Sequence, residues 1–510
     1  MPWRWNAGRS SCFCPPTTRP RASPPFAPSA SLNSGGASMG QPVDIAGVAG
    51  AGTMGRGIAH LLARSGIRTI LYDTQDGMAE RAKATILADI GQRIARGKST
   101  EAEREACARN IVIAGTVQGM APAHLVIEAI IETLEAKAEL FQALEAVCAA
   151  NCLFATNTSS LSVEAIARTI QRPQRFAGLH FFNPAPLMKL VEVVAGPQTE
   201  AGVTERLSGL VKTLGKQPVE VGDSPGFLVN RCARPFYGEA LQLLEDGVTD
   251  AATIDMCLTS SGGFPLGPFE LIDLVGVDIN LAATTSVWQG FDQSPRFKPS
   301  PLLEDMKAAG RLGRKTGSGF FTYPRQDNVL AGENHISTAN ELKRQLETRT
   351  GVAVHLSDGR TARELSADSR QPVIVLDRQI GQWRGPVSLA FAQHDLRDAD
   401  IQSIALQAKS LGVELHEVTD TPGLVFLRVA AMLVNEAAFA FEQGLATTAG
   451  IDTALKLGLN FRHGPHEMLE ALGLPAVSNT LERCGRTHPS GRYDACPALA
   501  DFAEDATTKR

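Results

Sequence analysis

The sequence is poor in aromatic residues, which fill 6% of its 510 positions and include only four Trp and four Tyr. It also lacks any run of the ~18 uninterrupted apolar residues that a membrane helix needs, so no membrane association is expected. Long basic runs are missing too: 49 Lys+Arg against 54 Asp+Glu leave a formal charge of −5. Such a surface is ill suited to following a phosphate backbone, and nucleic acid is not expected as a partner. The nine cysteines are scattered, unlike those of a small disulfide-stapled domain. Cys12-x-Cys14 and Cys148-x3-Cys152 stand as lone pairs without a second pair or histidines at zinc spacing, so no metal site is expected. Reduced thiols in a cytoplasmic compartment are the plain reading. Carboxylates are absent before Asp44, while residues 1–38 carry four arginines and many Pro and Ser. That stretch cannot bury apolar surface and is read as a disordered leader. It has no apolar core for secretion, which leaves an organelle transit peptide or a mistaken upstream start. The second is preferred, because Met39-Gly40-Gln41-Pro42 leads directly into the first strand. Without the four arginines the remaining chain carries about −9.

What is present is an ordinary globular composition, 44% hydrophobic and 20% charged, with length for about three to five domains. Val43–Val48 reads as a short buried strand. It is followed by Gly50-Ala51-Gly52-Thr53-Met54-Gly55, a helical run to Arg64, and a second strand, Arg68–Tyr72, that ends on Asp73. A glycine fingerprint alone is weak, but here it follows a strand, opens a helix and meets an acid about 20 residues on. Gly50 permits the turn, Gly52 lets a pyrophosphate reach the backbone, and Gly55 lets helix pack on strand. The free N–H groups of Thr53 and Met54 at the helix start would receive phosphate. Asp73 would accept hydrogen bonds from ribose hydroxyls and repel a 2′-phosphate, so NAD is expected rather than NADP. Helices are expected over 76–97, 101–108 and 134–150, the first two forming a long excursion with Arg93, Arg96 and Lys98 at its tip.

Further along, Phe154–Thr156 reads as a strand ending in small polar residues. Phe176–Phe181 carries His180 near its end, and Met188–Val194 places Glu192 among Leu and Val. A carboxylate there is costly to bury unless paired. His180 lies twelve residues upstream, close enough for adjacent strands to bring the two together. A His–carboxylate pair is the usual device for moving a proton near neutral pH.

Taken together, the glycine loop, Asn157-Thr-Ser-Ser160, His180-Phe-Phe-Asn-Pro184, Val191-Glu192-Val193 and Asp223-Ser-Pro-Gly-Phe-Leu-Val-Asn-Arg231 resemble the L-3-hydroxyacyl-CoA dehydrogenases. Gly267-Pro-Phe-Glu-Leu271 and Gly313-Arg-Lys-Thr-Gly-Ser-Gly-Phe320 agree, so the similarity covers 43–323. The resemblance implies His180 as general base with Glu192 as its partner, and Ser159 and Asn230 as hydrogen-bond donors to the reacting oxygen. It places cofactor contacts on Asp73, Glu132, Lys137, Ser159, Asn183 and Lys315. Contacts to coenzyme A fall on Ser159 and on Arg96 of the excursion, where Asp89 stands in place of a small polar residue.

The chain also repeats itself at an offset of 197 residues. Asp223-Ser-Pro-Gly226 returns as Asp420-Thr-Pro-Gly423, Arg231 as Arg428, Glu239 as Glu436, Asp255 as Asp452, and Phe264 as Phe461. Asn230 does not return: its equivalent is Leu427. The expected layout is an α/β Rossmann-type NAD-binding domain over 40–223 and an all-α domain over 224–326. A linker follows over 327–370, a degenerate α/β segment without a glycine fingerprint over 371–418, and a second copy of the helical domain over 419–500. Single-copy relatives pair through the helical domain, so either a homodimer or an intramolecular pseudo-dimer is expected. The two-copy layout looks like the bacterial 3-hydroxyacyl-CoA dehydrogenases of phenylacetate catabolism, which implies 3-hydroxyadipyl-CoA as substrate. The rival is 3-hydroxybutyryl-CoA in short-chain fatty acid metabolism. A hydroxy-acid or sugar-acid dehydrogenase, and an NAD-binding sensor, are the readings from other classes.

Overall fold

The computed structural model describes residues 43–325, 334–383, 385 and 387–505. The leader expectation for 1–38, including Cys12 and Cys14, lies outside the described residues. The first layer is an eight-stranded sheet of β1 (Ile45–Ala49), β2 (Arg68–Tyr72), β3 (Ile111–Ala114), β4 (Leu125–Glu128), β5 (Leu153–Thr156), β6 (Phe176–Phe181), β7 (Leu190–Ala195) and β8 (Gln217–Gly222). Their order is β3-β2-β1-β4-β5-β6-β7-β8, parallel throughout except where β7 runs antiparallel to β6. Strands buried on both faces read as continuous apolar runs, and β4, β5 and β6 are buried along their whole length. Between β1 and β4 the strand order reverses, and such a switch point opens a crevice at the carboxyl ends of the strands. The glycine loop lies at that crevice.

The excursion after β2 is a pair of helices, Met78–Ala95 and Glu101–Asn110. Thr100 caps the second by accepting from the Glu103 amide, and Glu103 in turn meets His60 of helix Thr53–Arg64 at 3.0 Å.

Past β8 the chain becomes helical, from Val229 to Ala308, and the family of helices returns over 426–504. Between them stands a second sheet of β9 (Ala353–Leu356), β10 (Val373–Leu376), β11 (Val387–His394) and β12 (Val413–Glu417), in the order β12-β11-β10-β9. Its pairing pattern, parallel, antiparallel, parallel, repeats that of β5 through β8.

The linker expected over 327–370 is therefore corrected from residue 334 onward. Helix Ala339–Thr350, β9 and helix Ala362–Ser369 belong to this second unit. The polar sequence conceals an amphipathic stripe: Ala339, Leu342 and Leu346, spaced three and four apart, are buried against Val354, Ile374 and Leu389. Thr361 and Glu364 form a reciprocal capping box at the start of Ala362–Ser369.

The two helical copies pack on one another with matching contacts in both directions. Arg231 Nε donates to Glu436 at 2.7 Å, and Arg428 Nε donates to Glu239 at 2.5 Å. Arg231 Nη1 also reaches Gln443 and Ser224, while Arg428 reaches Asp246 and Thr421, each the counterpart residue at the 197-residue offset. Phe264 meets its own counterpart Phe461 with ring centroids 4.8 Å apart. Even the main chain obeys the rule: Gly222 N donates to Leu445 O, and Thr419 N donates to Val248 O, both at 3.0 Å. Residue i touching j' while j touches i' is the signature of a two-fold axis, here realised inside one chain.

Candidate active site

At the end of β1 the backbone turns at Gly50, whose φ of +106° a side chain rarely adopts. A Cβ there would lie 2.3 Å from the Ala129 carbonyl oxygen, and one on Gly55 would lie 1.8 Å from the Gly50 oxygen. Gly52, by contrast, would point a Cβ into open space, at the start of a helix that has no side-chain cap. The loop is thus sealed on its protein side and open on the other, with the uncapped N–H groups of the helix facing outward as a phosphate would need. Asp73, from the end of β2, accepts from the Ala51 amide at 2.7 Å and so ties the acid to the loop. These features fit a dinucleotide.

A second cluster lies after β4. Glu128 is fully buried and accepts from Lys137 Nζ at 2.5 Å, Thr156 Oγ1 at 2.6 Å and the Ile130 amide at 2.7 Å. The Lys137 ammonium, also buried, reaches Glu132 at 3.1 Å. Glu132 receives the Thr158 hydroxyl at 2.5 Å, the Ser160 hydroxyl at 2.9 Å and the Ser159 amide at 3.2 Å. Burial alone would raise the Glu132 carboxyl, but Lys137 and the two hydroxyls outweigh it and hold the group below its ordinary range. Lys137 thus sits beneath the cluster and fixes Glu132, and the Ser159 hydroxyl makes no hydrogen bond to the described residues.

His180 and Glu192 are direct cross-strand partners in the antiparallel pair β6–β7, and Nδ1 lies 2.6 Å from Glu192 Oε2. Glu192 is wholly buried, and its other oxygen accepts from the amides of Leu228 and Val229 at 3.1 and 2.9 Å. One carboxylate therefore fixes the imidazole and, at the same time, the helix start that carries Asn230, the next residue. A carboxylate only accepts, so Nδ1 carries the proton and Nε2 is left with a free lone pair. The ring is packed between Phe182 and Phe227, with centroids 4.6 and 5.7 Å away. Asn157 Oδ1 accepts from the Phe181 amide at 2.8 Å, which locks the Ser159 turn to the strand that bears His180. Sequence reasoning gave Asn157 and Glu128 no role; only strand register shows that they tie the parts of the site together. Asn183 follows two residues after Phe181 and is exposed.

Two residues stand outside this cluster. Lys315 is ion-paired with Asp278 at 2.5 Å at the start of helix Val277–Gly290, and Arg96 caps the exposed end of helix Met78–Ala95. Among the described residues, neither is bonded to the His180 group.

The second copy keeps the framework and replaces the chemistry. Register relates β11 and β12 to β7 and β8: Glu192 faces Val219, and Ala390 faces His416, the counterpart of Val219. Ala390 thus occupies the place of Glu192. Asp377, whose amide donates to the Ala390 carbonyl at 2.9 Å, occupies that of His180. Asp377 accepts from the amides of Val425, Phe426 and Leu427 at 3.0, 2.6 and 3.2 Å, taking over the grip on the helix start. Its burial pushes the carboxyl up to about 6.

With this geometry, comparisons with known proteins assign the chain. Residues 45–224 match the 3-hydroxyacyl-CoA dehydrogenase NAD binding domain, and 226–323 and 423–510 match the C-terminal domain of the same family. Residues 354–422 match the 3-hydroxybutyryl-CoA dehydrogenase reduced Rossmann-fold domain. The Escherichia coli K12 3-hydroxyadipyl-CoA dehydrogenase is 38% identical over 468 residues, 90% of this chain and 98% of that one. A mitochondrial hydroxyacyl-coenzyme A dehydrogenase from Rattus norvegicus is 41% identical over 284 residues, 54% of this chain and 90% of its own. A crystal structure described as 3-hydroxybutyryl-CoA dehydrogenase from E. coli K12 superposes with a TM-score of 0.84 at 37% identity, covering 91% of this chain and 98% of that one. A Rossmann sheet, a glycine loop open to a dinucleotide, and these matches along nearly the whole length lead to one conclusion: the chain belongs to the 3-hydroxyacyl-CoA dehydrogenase family, NAD-dependent oxidoreductases that convert 3-hydroxyacyl-CoA to 3-oxoacyl-CoA.

Proposed function

We propose that the substrate is 3-hydroxyadipyl-CoA, an acyl chain that ends in a second carboxylate, and that His180, Glu192, Ser159 and Asn230 carry the reaction. The observation behind the substrate is the near end-to-end match to a two-copy relative named for it. 3-Hydroxybutyryl-CoA is the rival, since the matching crystal structure from the same organism bears that name.

When bound, NAD supplies the acceptor for the hydride that leaves C3. Gly50, Gly52, Thr53, Met54 and Gly55 would hold its pyrophosphate, Asp73 its ribose, and Glu132, Ser159, Asn183 and Lys315 the remainder, with Lys137 positioning Glu132. His180 Nε2 removes the proton from the C3 hydroxyl, and the imidazolium so formed is stabilised by Glu192 at 2.6 Å. Ser159 and Asn230 hold the C3 oxygen in place. Charge changes on that oxygen therefore meet fixed dipoles in a site walled by Phe182 and Phe227. Arg96 takes part in holding coenzyme A. The second helical copy supplies within the chain the contact that a single-copy relative obtains from another subunit.

The test is NADH formation with 3-hydroxyadipyl-CoA and L-3-hydroxybutyryl-CoA side by side. A higher kcat/KM for the adipyl substrate supports the reading, and a higher value for butyryl overturns it. Silence on both would turn attention to hydroxy acids without coenzyme A.

A further inference from the structure

Five arginines are buried among the described residues: Arg175, Arg231, Arg234, Arg428 and Arg492. Four have a carboxylate within ion-pair distance, Glu145 for Arg175, Glu436 for Arg231, and Glu239 for both Arg428 and Arg492. Arg234 alone has none, although only 7% of it is exposed. Its Nε donates to the Asn230 carbonyl at 2.8 Å and its Nη1 to the Thr284 hydroxyl at 3.1 Å, both neutral acceptors. The guanidinium lies over the Tyr237 ring at 4.9 Å, and burial lowers its pKa. Neither its Nη2 nor the Tyr237 hydroxyl has an acceptor or donor partner among the described residues. An unmatched buried cation is costly, so its retention asks for an anion that the folded chain does not itself supply.

The internal repeat provides a control. Several framework residues persist at the 197-residue offset: Arg231 and Arg428, and Glu239 and Glu436, across the contact between the copies, and Asp255 and Asp452 within each copy. The residue assigned to the reaction does not, since Asn230 becomes Leu427. Arg234 becomes Ala431, Tyr237 becomes Val434, and Thr284 becomes Leu481. The whole polar cluster thus disappears from the second copy together with Asn230. The buried arginine three residues before it, Arg231, is kept as Arg428, whereas Arg234 is not kept.

We infer that Arg234, supported by Thr284 and Tyr237, receives the terminal carboxylate of a dicarboxylic 3-hydroxyacyl chain. This rests on the adipyl reading above and names the residue that selects for it. Arg234 is four residues after Asn230, and residues so spaced on helical turns stand about 5–6 Å apart. The carboxylate of an adipyl chain is three carbon–carbon bonds of about 1.5 Å from C3. With the C3 oxygen on Asn230, the far end of the chain therefore arrives one helical turn further on. A guanidinium offers a fork of donors that matches a carboxylate, and Nη2 is unused. A butyryl chain ends in a methyl group two carbons short of this point and leaves the cation unmatched.

The test compares wild type, Arg234→Met and Arg234→Lys, with both acyl substrates and with adipyl-CoA binding measured by calorimetry. NAD affinity and thermal unfolding serve as folding controls. In R234M the ratio of kcat/KM for adipyl over butyryl should fall by about 30–100-fold, mainly through KM, with a parallel loss of adipyl-CoA affinity. R234K, which keeps the charge without the fork, should fall in between. A wild type that prefers butyryl overturns the substrate reading and this inference with it. A wild type that prefers adipyl while R234M keeps the same ratio overturns the inference alone. Should R234M not fold, R234K decides: a ratio within twofold of wild type would refute the assignment.

Discussion

Glu192→Gln is the substitution that most sharply tests how this site is assembled. The carboxylate has two duties, accepting from His180 Nδ1 through one oxygen and from the Leu228 and Val229 amides through the other. Glutamine offers a single acceptor. Its oxygen must stay on the two backbone amides, because turning the NH2 group toward them would oppose donor to donor in a wholly buried place. The NH2 group then faces Nδ1, the imidazole proton moves to Nε2, and the Nε2 lone pair that the proposed reaction needs is lost. Turnover should fall by about 10²–10⁴-fold, the usual contribution of a general base, or roughly 3–5 kcal/mol of barrier. Stability and NAD affinity should stay close to wild type. Glu192→Ala provides the contrast, since it abandons both amides as well as the imidazole. The imidazole can move its proton to the other nitrogen, so with each of the two orphaned backbone N–H groups costing about 1–3 kcal/mol, it should lose roughly 2–6 kcal/mol in urea denaturation besides its activity. An E192Q enzyme within fivefold of wild-type turnover, or one as unstable as E192A, would refute the account.

Three further outcomes are expected. His180→Gln should bind NAD as wild type does yet turn over about 10²–10⁴-fold more slowly, and undiminished turnover would remove His180 from the reaction. Burial pushes Asp255 up to about 7 from an ordinary 3.8. Its contribution to stability is thus complete below about pH 4 and is lost as pH rises through about 7, by about 4 kcal/mol. Asp255→Asn should flatten that part of the curve of unfolding free energy against pH, and an unchanged slope would contradict it. Ending the chain after residue 326 removes Glu436 from Arg231, and Arg428 and Arg492 from Glu239, and bares Phe264 and Phe236. Stranding a buried charge costs about 3–5 kcal/mol, so light scattering should show aggregates or dimers, and a well-behaved monomer would count against the pseudo-dimer.

Much of the candidate site was legible because its residues sit at strand ends with local signatures. The glycine loop, Asp73, His180 and Glu192 each announce themselves within a few residues, and the strand Arg68–Tyr72 has the observed limits. Features that depend on which strand faces which were not legible. Nothing in Val373–Asp377 suggests that Asp377 stands where His180 does, because that equivalence exists only through register across β10, β11 and β12. The helix Ala339–Thr350 went unread since nine of its twelve residues are not buried and its apolar stripe is narrow. Arg231 and Arg234 look alike in sequence, and only the folded chain shows that one is paired and the other is not.

Joining the two halves of a symmetric contact in one polypeptide has an effect on how that contact can change. In a homodimer every substitution at the axis occurs twice, so a residue must suit its own mirror image. Here each side mutates singly. Asp246 and Gln443 answer Arg428 and Arg231 from equivalent positions with different side chains. Glu239 receives a hydroxyl from Tyr493 where Glu436 receives a guanidinium from Arg296, again at one offset. The contact also survives dilution, because the partner is held at a fixed local concentration by the chain itself. Freed from self-complementarity and from mass action, one half could drift into a pure support for the other.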